Sequence, residues 1–221
     1  MADNISVKDA AGATQTIRMP EVAGIKVPVA MLVDSSGSQQ INEQTKAASL
    51  PVALPSDQPL RGRGMLVLSN NFTRPADTTA YAVFDTVANS TTAGSVNALS
   101  YTAARYAGGS GFITGARIAK TTASIVNAQF RLHIFDAAPT LANGDNGAFS
   151  TTMSGYIGSI DVTCTQAFSD PAAFGRASGS NPPIMFDKLT GQTLYVIVQA
   201  LAAYTPGNAE VFTVSLEIEQ S

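Results

Sequence analysis

The residues best suited to chemistry in this sequence are its one histidine, His133, and its one cysteine, Cys164. A Ser–His–carboxylate triad would need His133, and the sequence around it offers no nucleophile elbow. A zinc site of the usual ligand type needs more Cys and His than one of each. We interpret His133 as a surface or subunit-interface residue. Cys164 fits a small buried apolar residue, with a reactive thiol as the alternative.

Carboxylates are the remaining candidates for catalysis. A glycosidase needs two of them, but all the candidates except Asp161 fall at strand ends or in loops, where Asp usually caps or turns the chain. Asn143–Gly147 (NGDNG) resembles part of a calcium loop, yet it lacks the alternate acidic ligands and the distal Glu. We expect no catalytic residue, no cofactor and no metal site, with a cation at Asp145 as the alternative. The aspartates considered are Asp136, Asp145, Asp161, Asp170 and Asp187.

Phosphate-containing ligands are disfavoured by both the motifs and the charge. Gly109–Gly115 (GSGFITG) is rich in glycine, but it lies before and inside a predicted strand rather than at a helix N-terminus. The net charge is −3, whereas nucleic-acid binding needs an excess of Lys and Arg. Charged residues make up only 13% of the chain, against a usual share of about 25%. Such a neutral surface is typical of a protein that packs against other subunits, or simply of a β-rich surface.

Membrane and export signals are not found in the sequence. No apolar run reaches the roughly 18 residues of a membrane-spanning helix. The N-terminus has no basic start followed by an apolar core, so we expect no secretory signal and a mature chain that begins near Met1. A single cysteine allows no internal disulfide, which fits assembly in a reducing cytoplasm.

The hydrophobic pattern from Gly64 onward predicts short strands separated by turns. In Gln129–Phe135 and Val211–Glu219, apolar and polar residues alternate, as in strands with one buried face. Thr193–Ala202 is apolar on both faces, which indicates a central or covered strand. The sequence therefore predicts an all-β, antiparallel, jelly-roll-like β-sandwich over residues 64–221. Phe112–Lys120 is predicted to be a strand with Phe112, Thr114, Ala116 and Ile118 on one face, and we expect it to lie beside Gln129–Phe135 at the centre of the sandwich. The other predicted strands are Met65–Ser69, Ala80–Val87, Tyr156–Thr165 and Ile184–Asp187.

Residues 1–63 form a separate region with weaker patterns. Thr14–Met19 and Ile25–Val33 favour strands, and Gln39–Ala48 favours a short helix. Ser49–Arg63 carries regularly spaced prolines, which impose an extended, semi-rigid backbone. Its apolar side chains favour an N-terminal arm that lies on a surface, with an ordinary proline-rich linker as the alternative. The predicted partner-binding residues are Leu50, Pro51, Val52, Leu54, Pro55 and Leu60.

Several stretches resemble tailed-bacteriophage virion proteins. They are Asp9–Thr16, Val22–Asp34, Ser49–Gln58, Phe72–Ala82, Gly109–Ile118 and Gln129–Asp136. The resemblance implies a non-enzymatic structural protein of the particle, foremost a capsid decoration (cement) protein. It is then expected in the virion, assembled in the bacterial cytoplasm, in contact with the major capsid protein or other virion proteins. We expect a homo-oligomer, preferably a trimer, and neither nucleic-acid nor membrane binding.

Two other functions stay open on the sequence alone. One is a neck, tail or baseplate component of the same kind of particle. The other is a host-recognition or carbohydrate-binding module, in which loop tyrosines such as Tyr101 and Tyr204 form the platform.

Overall fold

The computed structural model describes residues 64–169, 172–177, 183–187 and 189–221, together with the backbone of four short strands nearer the N-terminus. The chain divides into two compact units, Met1–Pro59 and Leu60–Ser221. In the first unit the described strands form two antiparallel pairs, β1 with β2 and β3 with β4. Their bounds are Asn4–Lys8 (β1), Thr14–Arg18 (β2), Glu21–Val22 (β3) and Ile25–Lys26 (β4).

The predicted strand Thr14–Met19 thus corresponds to β2, and only the start of Ile25–Val33 is described as strand. The predicted helix Gln39–Ala48 lies outside the described residues. So do the predicted partner-binding residues Leu50, Pro51, Val52, Leu54, Pro55 and Leu60. The N-terminal arm stays a prediction.

The second unit is built from ten strands that form one antiparallel sheet. The hydrogen-bonded order is β5-β14-β8-β11-β10-β9-β13-β6, with β12 also beside β8 and β7 also beside β13. Among the described residues, the helical segments are two 3₁₀ turns, Ala93–Ser95 and Thr190–Gln192. The strands are Gly64–Thr73 (β5), Thr86–Val87 (β6), Leu99–Thr102 (β7), Gly111–Lys120 (β8), Gln129–Phe135 (β9), Tyr156–Phe168 (β10), Ala172–Ala177 (β11), Ile184–Phe186 (β12), Thr193–Ala200 (β13) and Val211–Gln220 (β14).

The sheet curls into a half-barrel whose concave face holds the main core. Alternate residues of β9 and β14 point inward and are fully buried, as their sequence pattern predicts. The edge strands β5 and β7 approach each other, and Asn70 Nδ2 donates to the Ser100 carbonyl at 3.1 Å. From β7, the buried Tyr101 hydroxyl reaches the Val214 carbonyl of β14 at 3.0 Å. These side-chain hydrogen bonds therefore connect strands that are not neighbours in the backbone hydrogen-bonding order of the sheet.

The prediction for the faces of β8 is wrong in its first half. Phe112, Thr114, Ala116 and Ile118 were expected on one face, but Ile113 is buried while Phe112 is exposed. The register against β14 shifts, with Glu217 opposite Gly115 and Ile218 opposite Ile113. An extra residue in one strand reverses the side-chain alternation, which is what a β-bulge does.

The all-β, antiparallel prediction is confirmed, whereas the two-layer sandwich is not, because the described strands of the second unit form one sheet. β8 and β9, expected to be central neighbours, pair with other strands instead. The sequence pattern missed β7 and β11. It correctly singled out β13, whose outer face is also buried because Ile197 packs with Phe135 and Leu141 in a second, smaller core.

Candidate functional site

His133 occupies a structural position on β9. Its Nε2 lies 3.0 Å from Gln199 Oε1, and its ring stacks on Phe149 with centroids 4.1 Å apart. Burial lowers the pKa of His133, which favours the neutral ring at pH 7. His133 therefore contacts the Gln199 amide and the Phe149 ring, and not the serine and carboxylate that a catalytic triad would require.

Cys164 is buried on the concave face of β10. Burial raises the pKa of its thiol to about 11, so the thiol stays protonated at neutral pH. The thiolate is the reactive form, and a buried, protonated cysteine is inert. The prediction that Cys164 behaves as a small buried apolar residue is confirmed.

The candidate carboxylates are dispersed over the sheet. Asp161 pairs with Arg131 on the outer face, with its carboxylate oxygens 2.7 and 2.9 Å from the guanidinium. Asp187 accepts a hydrogen bond from Ser110, and Asp170 lies outside the described residues. Within the described ranges, no three His, Cys, Asp or Glu side chains come together in a group that could hold a metal ion.

Asp145, the acidic residue of NGDNG, lies in a buried ion pair that no sequence pattern predicts. Arg74 Nη2 donates to its Oδ2 at 3.0 Å, and neither side chain is exposed to solvent. The Tyr81 hydroxyl and the Ala88 backbone N–H donate to Oδ1 at 2.7 and 2.8 Å. Burial raises the pKa of Asp145, and these hydrogen bonds together with Arg74 oppose that rise. With this set of donors, the carboxylate holds the segments around residues 74, 81, 88 and 145 together.

A second buried ion pair lies at the same end of the sheet, where β8 ends and β14 begins. Lys120 Nζ contacts Glu210 Oε1 at 3.2 Å, and both side chains are fully buried. The Tyr204 hydroxyl donates to Glu210 Oε2 at 2.7 Å, and Lys120 Nζ also donates to the Thr122 carbonyl at 2.8 Å. A buried charged group needs such partners, because burying a charge without a counter-charge and hydrogen bonds destabilises the folded state.

The two ion pairs are joined through Tyr81 and Tyr204. Their rings stack with centroids 6.4 Å apart, and the Tyr81 N–H donates to the Tyr204 carbonyl at 2.9 Å. The Arg74 N–H also donates to the Glu210 carbonyl at 3.0 Å. We call this set of residues the end network: Arg74, Tyr81, Asp145, Lys120, Tyr204 and Glu210. It fixes the loops at one end of the half-barrel.

The tyrosines expected to form a sugar platform are not available for that role. Tyr101 and Tyr204 are both buried, with their hydroxyls bonded inside the protein. This prediction is wrong because each lies on the concave side, where a polar tip finds a buried acceptor.

The end network supports a tight turn at Ala82–Asp85. The Asp85 N–H donates to the Ala82 carbonyl at 3.3 Å, and the Ala82 N–H donates to Asp85 Oδ2 at 2.7 Å. Phe84, at the third position, has a φ of 74°, as in a type II turn, where Gly or Asn is usual. The predicted strand Ala80–Val87 is therefore wrong, and only Thr86–Val87 belongs to the sheet.

The side chains of this turn face solvent. Phe84 is 55% exposed and Val83 is 48% exposed. The backbone of Phe84 is held tightly, since its N–H donates to the Ala200 carbonyl at 2.8 Å and its carbonyl accepts the Phe149 N–H at 2.9 Å and Gln199 Nε2 at 3.1 Å. The turn thus presents two apolar side chains in a fixed position.

A second exposed apolar surface lies on the convex face near the opposite end of the sheet. Phe112 of β8 pairs with Met185 of β12 on one side and with Glu219 of β14 on the other, and Glu219 pairs with Met65 of β5. Met65 and Met185 are 66% and 61% exposed. We call Met65, Val67, Phe112 and Met185 the apolar patch. Glu219 lies between Met65 and Phe112, and Glu217 is opposite Val67, so these exposed apolar side chains are interspersed with carboxylates.

A crevice beside β13, lined by Phe72, Val87 and Leu99 among others, has a volume of about 10 Å³, close to that of one water molecule. Among the described residues, no helix is long and apolar enough to span a membrane.

Comparisons with protein-family models, with curated proteins and with solved structures gave no match.

Proposed function

We propose that this chain is a non-enzymatic structural protein of a bacteriophage particle, specifically a capsid decoration (cement) protein. The observation that carries the proposal is a rigid, low-charge sheet with two separate exposed apolar surfaces, the Val83–Phe84 turn and the apolar patch. Exposed apolar groups on a rigid framework bind other proteins, since little ordering is needed on association. The assignment to a bacteriophage particle rests on the sequence resemblance to tailed-bacteriophage virion proteins.

In this proposal the two parts of the chain have different tasks. Residues 1–63 are an extended arm that docks on the major capsid protein or a neighbouring copy, through Leu50, Pro51, Val52, Leu54, Pro55 and Leu60. The curled sheet is the body that stands outward and forms a homo-oligomer, preferably a trimer. Many modest contacts repeated with symmetry then stabilise the shell. The protein resides in the virion after assembly in the bacterial cytoplasm, and it binds neither nucleic acid nor membranes.

The arm is tested by replacing its apolar residues in the full chain. A variant with Leu50→Ser, Leu54→Ser and Leu60→Ser is added to particles assembled without this protein, and bound protein is quantified by gel after sedimentation. We expect at least a tenfold loss of affinity, with an unchanged melting temperature. Val126→Asn, at an exposed loop position of the second unit, is the matched control and should bind normally. Full occupancy by the triple variant would show that the arm does not dock.

A further inference from the structure

We propose that Asn146 is a deamidation site, and that its hydrolysis to aspartate opens the Ala82–Asp85 turn. The segment NGDNG holds two Asn–Gly pairs, Asn143–Gly144 and Asn146–Gly147. Deamidation is easiest in an Asn–Gly pair, because glycine has no side chain to hinder attack by its own backbone nitrogen. The structure gives the two pairs different surroundings, and the larger consequence for the fold falls on the second.

The Asn146 amide is a donor between two oxygen acceptors. In the orientation that satisfies its hydrogen bonds, its Nδ2 lies 3.2 Å from the Ala80 carbonyl oxygen and 3.1 Å from Asp85 Oδ2. Asp85 is 8% exposed, and the same Oδ2 accepts the Ala82 N–H that closes the turn. The amide therefore ties the NGDNG segment to the turn through the carboxylate on which the turn depends.

The backbone around Asn146 is held by the neighbouring strand β6. The Asn146 N–H donates to the Thr86 carbonyl at 2.9 Å, and the Thr86 N–H donates to the Gly147 carbonyl at 2.8 Å. Asn146 has a φ of 58°, a conformation that Asn and Asp adopt more readily than most residues with a side chain. Because aspartate also tolerates this backbone, its effect at position 146 comes from the side chain.

The reaction consumes one water and releases one ammonia. The Gly147 backbone nitrogen attacks Asn146 Cγ and loses its proton, the amide nitrogen leaves as ammonia, and a succinimide ring forms. Water then opens the ring at either of its carbonyl carbons, which gives aspartate or isoaspartate. Both products carry a carboxylate in place of the neutral amide.

The new carboxylate meets one that is already present. With the side chain unmoved, one of its oxygens lies 3.1 Å from Asp85 Oδ2, where the amide donor lay before. Two carboxylates at this distance repel each other, and burial strengthens the repulsion. The Arg74 guanidinium at this end of the sheet is already paired with Asp145 and Asp77. The repulsion therefore drives Asp85 and the new carboxylate apart, which opens the turn.

The closed turn protects Asn146 from the reaction. Ring closure requires the amide to leave Ala80 and Asp85. It also requires the Gly147 nitrogen to turn toward Cγ, whereas its N–H donates to the Gly144 carbonyl at 3.2 Å. Hydrolysis therefore follows a local opening of the turn. The added charge then prevents the turn from closing again, so the change is irreversible.

Asn146→Asp reproduces one product directly in the full-length protein. We expect its melting temperature to be about 4–8 °C below that of the wild type. Asn143→Asp is the matched control, since Asn143 is exposed and its Nδ2 donates to the Ala148 carbonyl at 2.8 Å. That variant should change the melting temperature by less than about 2 °C. If Asn146→Asp melts with the wild type, or no lower than the control, the proposal is wrong.

A charge swap tests the contact between positions 85 and 146. Asp85→Asn together with Asn146→Asp again places one amide opposite one carboxylate. Melting of the wild type, both single variants and the double variant should reveal a favourable coupling between the two positions. Zero coupling would overturn repulsion by Asp85 as the cause, because a general intolerance of aspartate at position 146 is not relieved by a change at position 85.

The modification itself is followed by peptide mapping after incubation at mildly alkaline pH. We expect hydrolysis at Asn146 to be at least tenfold slower in buffer than in urea, because the folded protein must first open the turn. Equal rates would overturn the protection by the fold. Modified chains that melt like unmodified ones would overturn the link to the turn. Neither result bears on binding to particles, so the proposed function is judged separately.

Discussion

Arg74 and Asp145 are 71 positions apart in the sequence, yet their side chains meet at 3.0 Å with no solvent exposure on either partner. A buried ion pair of this kind is not in itself strong support for stability, because desolvation offsets the attraction. Removing Asp145 is different, since the buried Arg74 guanidinium then keeps only the part-exposed Asp77 carboxylate, 3.1 Å from Nη2, as a counter-charge.

Asp145→Asn should therefore lower the free energy of unfolding by about 3 kcal/mol, because the Arg74 guanidinium loses its buried counter-charge. Asp161→Asn is the matched control, since Asp161 pairs with Arg131 on the exposed outer face, and it should cost less than about 1 kcal/mol. Urea denaturation of both variants measures the difference. Equal losses for the two would contradict the role given to the end network.

The hydroxyls of Tyr81 and Tyr204 should be energetically coupled, because backbone hydrogen bonds from Tyr81 to Tyr204 and from Arg74 to Glu210 join the two buried ion pairs that they contact. Tyr81→Phe removes the hydroxyl between Arg74 and Asp145, and Tyr204→Phe removes one of the donors to Glu210. We expect each to cost about 1–3 kcal/mol. The double variant should depart from additivity by about 0.5 kcal/mol or more. Strict additivity in denaturant titrations would mean that the two pairs are independent.

Phe84→Asn should stabilise the isolated protein. Asn adopts positive φ readily, so the substitution relieves strain of about 1 kcal/mol and raises the melting temperature by about 2–4 °C. Phe84→Ala is the control, since it removes the ring without favouring positive φ and should not produce this gain. A lower melting temperature for Phe84→Asn would show that the ring packs on the body of the protein instead of serving a partner.

His133 should make folding stability depend on pH in the mildly acidic range. Burial lowers the pKa of His133 in the folded protein below its ordinary value of about 6.5. On acidification the unfolded chain takes up the proton first, so the stabilisation is complete above about pH 6.5 and is lost as the pH falls through the folded-state pKa. Relative to His133→Gln, the wild type should lose stability between pH 7.5 and pH 5. A difference in unfolding free energy that stays constant over this range would contradict the assignment.

Sequence patterns predicted the regular strands well and the irregular positions poorly. Apolar and polar residues alternate in β9 and β14 because one face of each strand packs on the core. Both strands were therefore predicted to within one residue of their observed ends. The bulge at Thr114 could not be foreseen, because an extra residue in one strand depends on its register with another. A single curled sheet and a two-layer sandwich both bury one face of each strand, so their sequences show the same alternation of apolar and polar residues.

The parts of the candidate site were the least predictable. Arg74 in FTRPAD and Asp145 in NGDNG look like ordinary loop residues, and only the tertiary fold brings them together. Phe84 was placed in a strand because an aromatic residue among Ala and Val favours strand, whereas the Asp85 carboxylate closes a turn there. A surface tyrosine and a buried one also look alike in sequence, as Tyr101 and Tyr204 illustrate.

The most direct measurement is the copy number of this chain per particle, obtained by quantitative mass spectrometry of purified virions against the major capsid protein. A decoration protein should be present at a ratio near one, or at a simple fraction such as about a third if trimers occupy selected sites on the shell. A ratio of a few per cent or less would contradict the capsid assignment and indicate the neck, tail or baseplate. Absence from the particle would contradict the structural role altogether.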